Sequence, residues 1–364
     1  MGLDARLVGP GLGVSQVITN IARHLSEDVE IVWLGDPALA PCEPCAAVRV
    51  DRWPYPVLDG PGGRRWARQA GVDLVHFAAN TGWRRGATVP FVLTVHDLLY
   101  IDTGVKGRSL RQIVGHRYAR WNVIGALRAA DAVASPSHAV AEEVARRTGR
   151  TPVVIANGVD AELLEMGDAR SGVARDRPDR RYAVAFSARD PRKGVDLAIK
   201  GWRAAGGVPP RLVLLAGGGM PAGIAAEIES DRARGRIEVR PYMSRHALMD
   251  LLAGADALIY PSASEGFGLP VLEAMAVGVP VITGLNPAVR EVSGDASVTI
   301  DPTQPVASIA QGLLALDRDP TLRTQRVATG RRRAREFSWK AAARAYEELY
   351  GQVLQSPRAG KRRR

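Results

Sequence analysis

Short runs of apolar residues recur along the whole chain, and each is bounded by Gly, Pro, Asn or Asp. Between most of these runs, apolar and polar positions alternate with the period of a helix. Continuous apolar strands that alternate with amphipathic helices predict parallel sheets covered by helices on both faces. The runs in the first half are EIVWLG (30–35), DLVHF (73–77), FVLTVHD (91–97), DAVASPS (131–137) and PVVIANG (152–158).

A stretch without apolar periodicity, MGDARSGVARDRPDRR (166–181), interrupts this pattern and predicts a linker. A second series of strands follows: RYAVAFSA (181–188), RLVLLAGG (211–218), RIEVRPY (236–242), ADALIYPS (255–262), VPVITG (279–284) and SVTID (297–301). The pattern predicts an α/β protein with two tandem doubly wound, Rossmann-like domains that face each other across a cleft. Ligands of such sheets bind beyond the carboxyl ends of the strands.

A length of 364 residues also fits two domains. The last apolar pattern, SWKAAARAYEELYGQVL, begins with Ser338 as a helix N-cap and predicts a long terminal helix. The predicted parts are a first domain (1–166), a linker (167–181), a second domain (182–337), a helix that packs back toward the first domain (338–356) and a basic tail (357–364).

The composition narrows the class of protein. A hydrophobic share of 46% and a charged share of 24% are typical of a globular chain. No apolar stretch has the roughly 18 residues of a spanning helix, and the start, MGLDARLVG, lacks the apolar core of a signal peptide, so we expect a cytoplasmic protein. Cys42 and Cys45 form one CxxC pair without a second pair, which favours a surface loop over a redox or zinc site.

The charge balance indicates an anionic partner. The chain has 49 basic and 38 acidic residues, a formal net charge of +11. Such a charge suits a phosphate-bearing ligand, an anionic membrane or nucleic acid. Aromatic residues make up only 5% and do not alternate with the basic runs, which disfavours nucleic acid. The terminal KRRR (361–364) is either a solvated tail or a peripheral contact with an anionic membrane.

Two motifs of the first domain follow predicted strands. GPGLGVSQVITNIARHL (9–25) places Gly11 and Gly13 before an amphipathic helix, where backbone amides can approach an anion, although a plain tight turn fits as well. TVHDLLY (94–100) places His96 at the end of a strand. His96 is either a structural histidine or a donor to a substrate hydroxyl or to developing charge.

A basic loop opens the second domain. SARDPRKGVDLAIKGW (187–202) presents Arg189, Arg192 and Lys193 just before a predicted helix. Cations near a helix N-terminus would suit a diphosphate. An ordinary solvated loop is the alternative.

The segment SEGFGLPVLEAMAVGVPVITG (264–284) carries two carboxylates around a glycine-rich turn. Pro270 suits the first helical position, which puts Glu265 in the loop and Glu273 one turn inside the helix. A carboxylate beside a diphosphate repels the phosphates but accepts hydrogen bonds from hydroxyls, so the pair indicates sugar rings on either side of a diphosphate. Capping glutamates are the alternative. Amides that can meet phosphate oxygens belong to Phe267, Gly268 and Leu269.

This segment resembles the Glu-x7-Glu signature of glycosyltransferase family 4, the retaining nucleotide-sugar transferases of the GT-B fold. Further stretches are similar to landmarks of the same family: LDARLVGPGLGV, TVHDL, ANGVD, EVSGDA, IDP and FSWKAAARAYEELY. The resemblance covers nearly the whole chain. It implies a nucleoside-diphosphate sugar donor held mostly by the second domain and an acceptor held mostly by the first.

The resemblance also implies a role for each matching residue. Glu273 would bind the ribose hydroxyls, Glu265 a hydroxyl of the transferred sugar, and His96 the sugar near its anomeric centre. Backbone amides from Gly266 to Leu269 would contact sugar and phosphate. The groups that would surround the diphosphate are Lys193, with Arg189 or Arg192, and the loop from Gly11 to Gly13.

The function so implied is a retaining, metal-independent transfer without any cofactor, because cations and helix termini replace the metal. The enzyme would move a mannose-, rhamnose- or glucose-type hexose or deoxyhexose to a hydroxyl of a saccharide, glycolipid or small molecule, as in polysaccharide biosynthesis. If the basic tail contacts the membrane, the enzyme would work at its inner face. A catalytically degenerate partner subunit that still binds sugar nucleotide is the alternative. A glycoside hydrolase is disfavoured, because its two carboxylates flank the scissile bond.

Overall fold

The computed structural model describes residues 1–9, 13–41, 46–49, 61–98, 110–169, 181–186, 191–217, 219–220 and 222–357. The chain forms two compact units. The first contains Met1–Gly158 together with the residues from Trp339 onward, and the second contains Val159–Ser338. Each unit is built around one parallel sheet, as the alternation of apolar runs and helical patterns predicts.

The sheet of the first unit has the strand order β3-β2-β1-β4-β5-β6-β7 among the described residues. Its strands are β1 (Gly2–Asp4), β2 (Val32–Gly35), β3 (Ala46–Arg49), β4 (Val75–Phe77), β5 (Phe91–Thr94), β6 (Ala132–Ser135) and β7 (Val153–Val154). The described part of the second unit has the order β10-β9-β8-β11-β12-β13. Its strands are β8 (Tyr182–Phe186), β9 (Arg211–Leu215), β10 (Ile237–Arg240), β11 (Ala257–Tyr260), β12 (Val281–Thr283) and β13 (Val298–Thr299).

Helices connect these parallel strands. In chain order the α-helices of the described residues are α1 (Gly13–His24), α2 (Pro61–Gln69), α3 (Leu110–Ala129), α4 (His138–Thr148), α5 (Ala161–Ala169), α6 (Val195–Ala204), α7 (Ala222–Glu227), α8 (Glu229–Ala233), α9 (Arg245–Ala253), α10 (Leu269–Ala276), α11 (Pro287–Ser293), α12 (Pro305–Arg318), α13 (Pro320–Ala334) and α14 (Trp339–Gln355). Within the described ranges, none of them is both long and apolar enough to cross a membrane.

The strand order of each sheet reverses at one point, and this point positions the candidate loops. In the second unit the reversal lies between β8 and β11, so the loops after these two strands are neighbours at the carboxyl edge. In the first unit it lies between β1 and β4. The central strands β5 and β11 are buried at every residue, because helices cover both faces of a parallel sheet.

The boundary between the units differs from the predicted one. Helix α5 belongs to the second unit, so the division lies before this helix and not at residue 166. Gly167 packs against the carbonyl of Ala276, and its own carbonyl accepts a hydrogen bond from Arg331. The predicted linker (167–181) therefore begins inside a helix, and its residues 170–180 lie outside the described part.

One further feature differs from the sequence interpretation. Strand β3 was missed, because its four residues follow the CxxC loop without the apolar run that marks a central strand. It lies at the edge of the sheet, where such a run is not needed. Cys42 and Cys45 are outside the described residues, as is all but the first residue of the basic tail (357–364).

The terminal helix α14 joins the first unit through a buried polar network. It packs against α1, and the hydroxyls of its two tyrosines form hydrogen bonds with residues of β4 and β5. His76 lies between the Thr94 hydroxyl (Nε2 to Oγ1, 2.7 Å) and the Tyr350 hydroxyl (Nδ1 to OH, 2.8 Å). The Tyr346 hydroxyl lies 3.0 Å from Thr94 Oγ1. Every polar group of a buried network needs its partner, so these bonds fix the helix in one register.

Helix α10 begins at a residue that only glycine suits. Gly268 has a φ of +103°, in the left-handed region. A Cβ atom there would lie 3.0 Å from Cγ2 of Val289. No side chain caps the first turn of α10. Pro270 is the second residue of the helix, one position after the predicted one, and it still lies in the first turn, where its missing N–H costs no hydrogen bond.

We expect the stability of the protein to decrease as pH falls. Burial, with a smaller contribution from His96, lowers the pKa of His76 from 6.5 to about 3. The unfolded chain takes up this proton below its pKa, whereas the folded chain does not until pH nears 3. The contribution of His76 to the free energy of unfolding is therefore fully present above pH 6.5. It decreases between pH 6.5 and pH 3, by up to about 1.4 kcal/mol per pH unit.

Urea unfolding of the wild type and of His76→Gln, at a series of pH values in this window, measures that slope. The variant His76→Gln should lack the part of the slope that comes from His76. His246→Gln is the matched control, because the His246 side chain is 85% exposed. Equal slopes in the wild type and His76→Gln would show that His76 does not carry this pH dependence.

Gly268→Ala should destabilise the protein by about 1–2 kcal/mol, because an L-residue is strained in this conformation and its Cβ crowds Val289. Gly223→Ala is the control. Gly223 lies in α7 with no atom near its Cβ position, and alanine favours a helix. Urea unfolding of the two variants compares them, and equal stabilities would rule out this constraint at Gly268.

Candidate functional site

The loop after β11 carries the first carboxylate. Oε1 of Glu265 accepts hydrogen bonds from Lys193 Nζ and from the Tyr260 hydroxyl, both at 2.6 Å. Burial raises the pKa of Tyr260 well above 10, and the negative charge of Glu265 raises it further. Tyr260 therefore stays protonated and donates to the carboxylate at any physiological pH.

The loop that carries Lys193 is attached to the Glu265 loop by its backbone. Residues Pro191–Lys193 form a 3-10 turn, and Gly194 follows with a φ of +68°. A Cβ atom on Gly194 would lie 2.6 Å from the carbonyl oxygen of Pro261, so this close approach also requires glycine. The Ala263 amide donates to the carbonyl of Arg192 at 2.9 Å. The switch point of the second sheet, which is the reversal of strand order between β8 and β11, thus brings Lys193 and Glu265 together.

The second carboxylate, Glu273, lies one turn inside α10 and is only 4% exposed. Its Oε1 accepts a hydrogen bond from Nη1 of Arg245 at 2.9 Å. Nε and Nη2 of Arg245 both donate to Oδ2 of Asp160, at 3.1 and 2.6 Å. Burial opposes the charge of the guanidinium, but the two carboxylates outweigh it and raise the pKa of Arg245. The two glutamates therefore have separate cationic partners.

The turn between the two carboxylates is held by apolar packing. Phe267 is 5% exposed, and its ring meets that of Phe337 edge to face, with centroids 5.7 Å apart. Its side chain belongs to the core of the second unit, as does the mostly buried Leu269. The contacts of this turn with a ligand are therefore predicted to come from backbone amides, those of Gly266, Phe267, Gly268 and Leu269.

The first unit places His96 after the end of β5, half-buried. Its Nε2 donates to the carbonyl of Ala78 at 2.7 Å, and its backbone amide donates to Oδ1 of Asn80 at 2.7 Å. Burial lowers the pKa of His96, while the Ala78 carbonyl and Asp97 act in the opposite direction. The imidazole is therefore neutral near pH 7, and Nδ1 carries its lone pair.

This tautomer bears on the predicted role of His96, which stays a prediction. The sequence left His96 as either structural or a hydrogen-bond donor to substrate. The N–H group of the neutral ring donates to the carbonyl of Ala78. The ring atom that remains for a ligand is Nδ1, which is a hydrogen-bond acceptor. Asn80 was missed by the sequence interpretation. It has a φ of +50° and donates to Oδ1 of Asp97 at 3.4 Å, which fixes the turn that holds His96.

The remaining predicted residues divide into two groups. Gly13 begins α1 with no atom within 4 Å of its Cβ position, so its packing does not require glycine. The amide of Gly9 donates to the Ser15 hydroxyl at 3.1 Å. Gly11 and Arg189 lie outside the described residues, and their roles stay predictions.

Sequence reasoning also missed three groups of the second unit: Tyr260, Arg245 and Asp160. One signal was available for Arg245. It is the first residue of α9, directly after the N-cap Ser244, and a cation is unfavourable at the positive end of a helix. A cation at such a position indicates an acidic partner elsewhere.

Comparison with known proteins assigns the chain to a family. A family model described as "Glycosyltransferase Family 4" matches residues 12–163, and one described as "Glycosyl transferases group 1" matches residues 172–333. The chain is 33% identical over 327 residues to the D-inositol 3-phosphate glycosyltransferase of Salinispora tropica, an alignment that covers 79% of this chain. The chain spans 65% of the length of that relative.

Solved structures share the fold over nearly the whole chain. Sucrose-phosphate synthase from Thermosynechococcus elongatus is similar with a TM-score of 0.72 at 18% identity, covering 97% of this chain and 98% of its own. HepE from Anabaena, in complex with UDP-glucose, is similar with a TM-score of 0.70 at 19% identity, covering 96% of this chain and 99% of its own. With two successive matches that together extend over most of both units, the chain belongs to glycosyltransferase family 4 and has the GT-B fold.

Proposed function

We propose that the protein is a retaining, metal-independent glycosyltransferase. It transfers a mannose-, rhamnose- or glucose-type hexose or deoxyhexose from a nucleoside-diphosphate sugar to a hydroxyl of a saccharide, glycolipid or small molecule. The observation that carries the proposal is the contact of Lys193 with Glu265 at the switch point of the second sheet. A cation for phosphates and a carboxylate for sugar hydroxyls lie side by side there.

The charges of this edge match the parts of a sugar nucleotide. A carboxylate repels phosphate but accepts hydrogen bonds from hydroxyls, so Glu265 suits the sugar and Glu273 the ribose. An ammonium group has three donors, so Lys193 can keep its bond to Glu265 and also donate to a phosphate oxygen. The uncapped first turn of α10, which begins at Leu269, adds backbone amides and the positive end of the helix dipole.

The comparisons support the class of donor and of acceptor. HepE, a structural neighbour, was solved with UDP-glucose, which supports a nucleotide-sugar donor for this chain. The name of the Salinispora relative, D-inositol 3-phosphate glycosyltransferase, includes a hydroxyl-bearing molecule, which supports a hydroxyl-bearing acceptor here.

In the proposed reaction the bond between the anomeric carbon and the β-phosphate oxygen breaks while the acceptor oxygen attacks from the same face. The acceptor proton passes to the departing phosphate oxygen, so no protein nucleophile is needed. Lys193 stabilises the negative charge that develops on this phosphate. Nδ1 of His96 accepts a hydrogen bond from a hydroxyl of the transferred sugar, which orients the anomeric carbon.

Donor binding can be measured by the thermal stability of the purified protein with UDP, GDP, dTDP and their common sugar conjugates, in buffer with EDTA. One nucleotide at about 100 times its dissociation constant should stabilise the wild type by about 2.7 kcal/mol. Glu273→Gln should weaken that binding. Lys193→Ala should slow transfer, because the leaving phosphate loses its cation.

Lys200→Ala is the matched control for Lys193. Lys200 lies on α6, is half-exposed and pairs with Asp196 on the surface, so its loss should change neither binding nor transfer. Unchanged kinetics in both Glu273→Gln and Lys193→Ala would contradict the site. Stabilisation by a sugar nucleotide without any transfer would favour the catalytically degenerate alternative. A need for metal would contradict the metal-independent mechanism.

A further inference from the structure

Arg245 occupies a position that its own helix disfavours. It is the first residue of α9, where the helix dipole opposes a positive charge. Its side chain is only 39% exposed, and burial also opposes the charge. Both costs are offset by two carboxylates, since Asp160 accepts from two nitrogens and Glu273 from a third. The guanidinium is thus oriented by these two groups.

The backbone around Asp160 is held in place by neighbouring residues of the same unit. Asp160 is the second residue of the second unit. Val159, the residue before it, forms a parallel bridge with Ser338, the last residue of the same unit, and the Val159 amide donates to the carbonyl of Phe337 at 3.2 Å. The backbone that carries Asp160 is therefore held on both sides, and Asp160 can fix the guanidinium that reaches Glu273.

We infer that Arg245 is a positioning residue for the donor site: with Asp160 as its anchor, it orients the Glu273 carboxylate to receive the ribose hydroxyls. This inference rests on the proposed function. A carboxylate has about four acceptor positions, so the bond from Arg245 leaves capacity for hydroxyls. The planar guanidinium can bond two carboxylates at once with fixed geometry, which the single ammonium of lysine does not reproduce.

The test compares a ribonucleoside diphosphate with its 2′,3′-dideoxy analogue by calorimetry. The base is uracil or guanine, whichever of UDP and GDP binds the wild type more tightly. Hydrogen bonds to a charged group should make the wild type prefer the ribonucleotide by about tenfold or more. In Arg245→Met the preference should fall to roughly threefold or less, because Glu273 is no longer held in place. Arg245→Lys should lie between the two.

Arg203→Met is a closely matched control. Arg203 also donates from Nε and Nη2 to one carboxylate, Asp231, and from Nη1 to a second, Glu227, and its side chain is 33% exposed. It lies in the last turn of α6, the end of that helix away from Lys193. Arg203→Met should keep the full ribose preference, since a general loss of stability does not change discrimination between two ligands.

The variant Glu273→Gln distinguishes a failure of the positioning role of Arg245 from a failure of the proposed function. If Glu273→Gln loses the ribose preference and Arg245→Met keeps it, the positioning role of Arg245 is wrong and the proposed function stands. If Glu273→Gln also keeps the preference, Glu273 does not bind the ribose. If none of UDP, GDP and dTDP binds the wild type, the proposed function fails and this inference with it. If only dTDP binds, the proposed function stands, and the inference, which requires a ribose, is overturned. Should Arg245→Met not fold, Asp160→Asn must reduce the preference, and an unreduced preference there overturns the inference.

Discussion

The site depends on one constraint, which is that each acidic group beside the switch point of the second sheet must have a cation. Glu265 has Lys193, and the nearly buried Glu273 has Arg245. Without a cation, a carboxylate as buried as that of Glu273 would be costly. The two cations come from different elements, the loop before α6 and the start of α9. Each carboxylate and its cation therefore hold each other in place across two elements.

Much of the fold was predictable because parallel strands leave a strong pattern. Strands buried on both faces need continuous apolar runs, and the runs that contain β5, β8 and β11 are of this kind. The edge strand β3 and the start of the second unit at Val159 were not predictable in this way. An edge strand needs no apolar run, and the boundary depends on how α5 packs, which local composition does not report.

The candidate site was predictable where its residues share one segment. Glu265 and Glu273 are eight positions apart around a glycine-rich turn, and the sequence alone locates them in a loop and a helix. Arg245 and Asp160 were missed because their contacts join residues 28 and 85 positions apart. The tautomer of His96 was missed for a related reason, since it is set by the carbonyl of Ala78 on the neighbouring strand end. Such pairs exist only after the sheet has formed.

A crystal structure of the protein with its nucleoside diphosphate tests the central claim most directly, because it shows which groups the ligand contacts. The account predicts the ribose hydroxyls on the Glu273 carboxylate, with Arg245 still bonded to it. It predicts phosphate oxygens at Lys193 and at the amides from Gly266 to Leu269. A nucleotide bound elsewhere, or one whose phosphates make no contact with Lys193 or this turn, would contradict it.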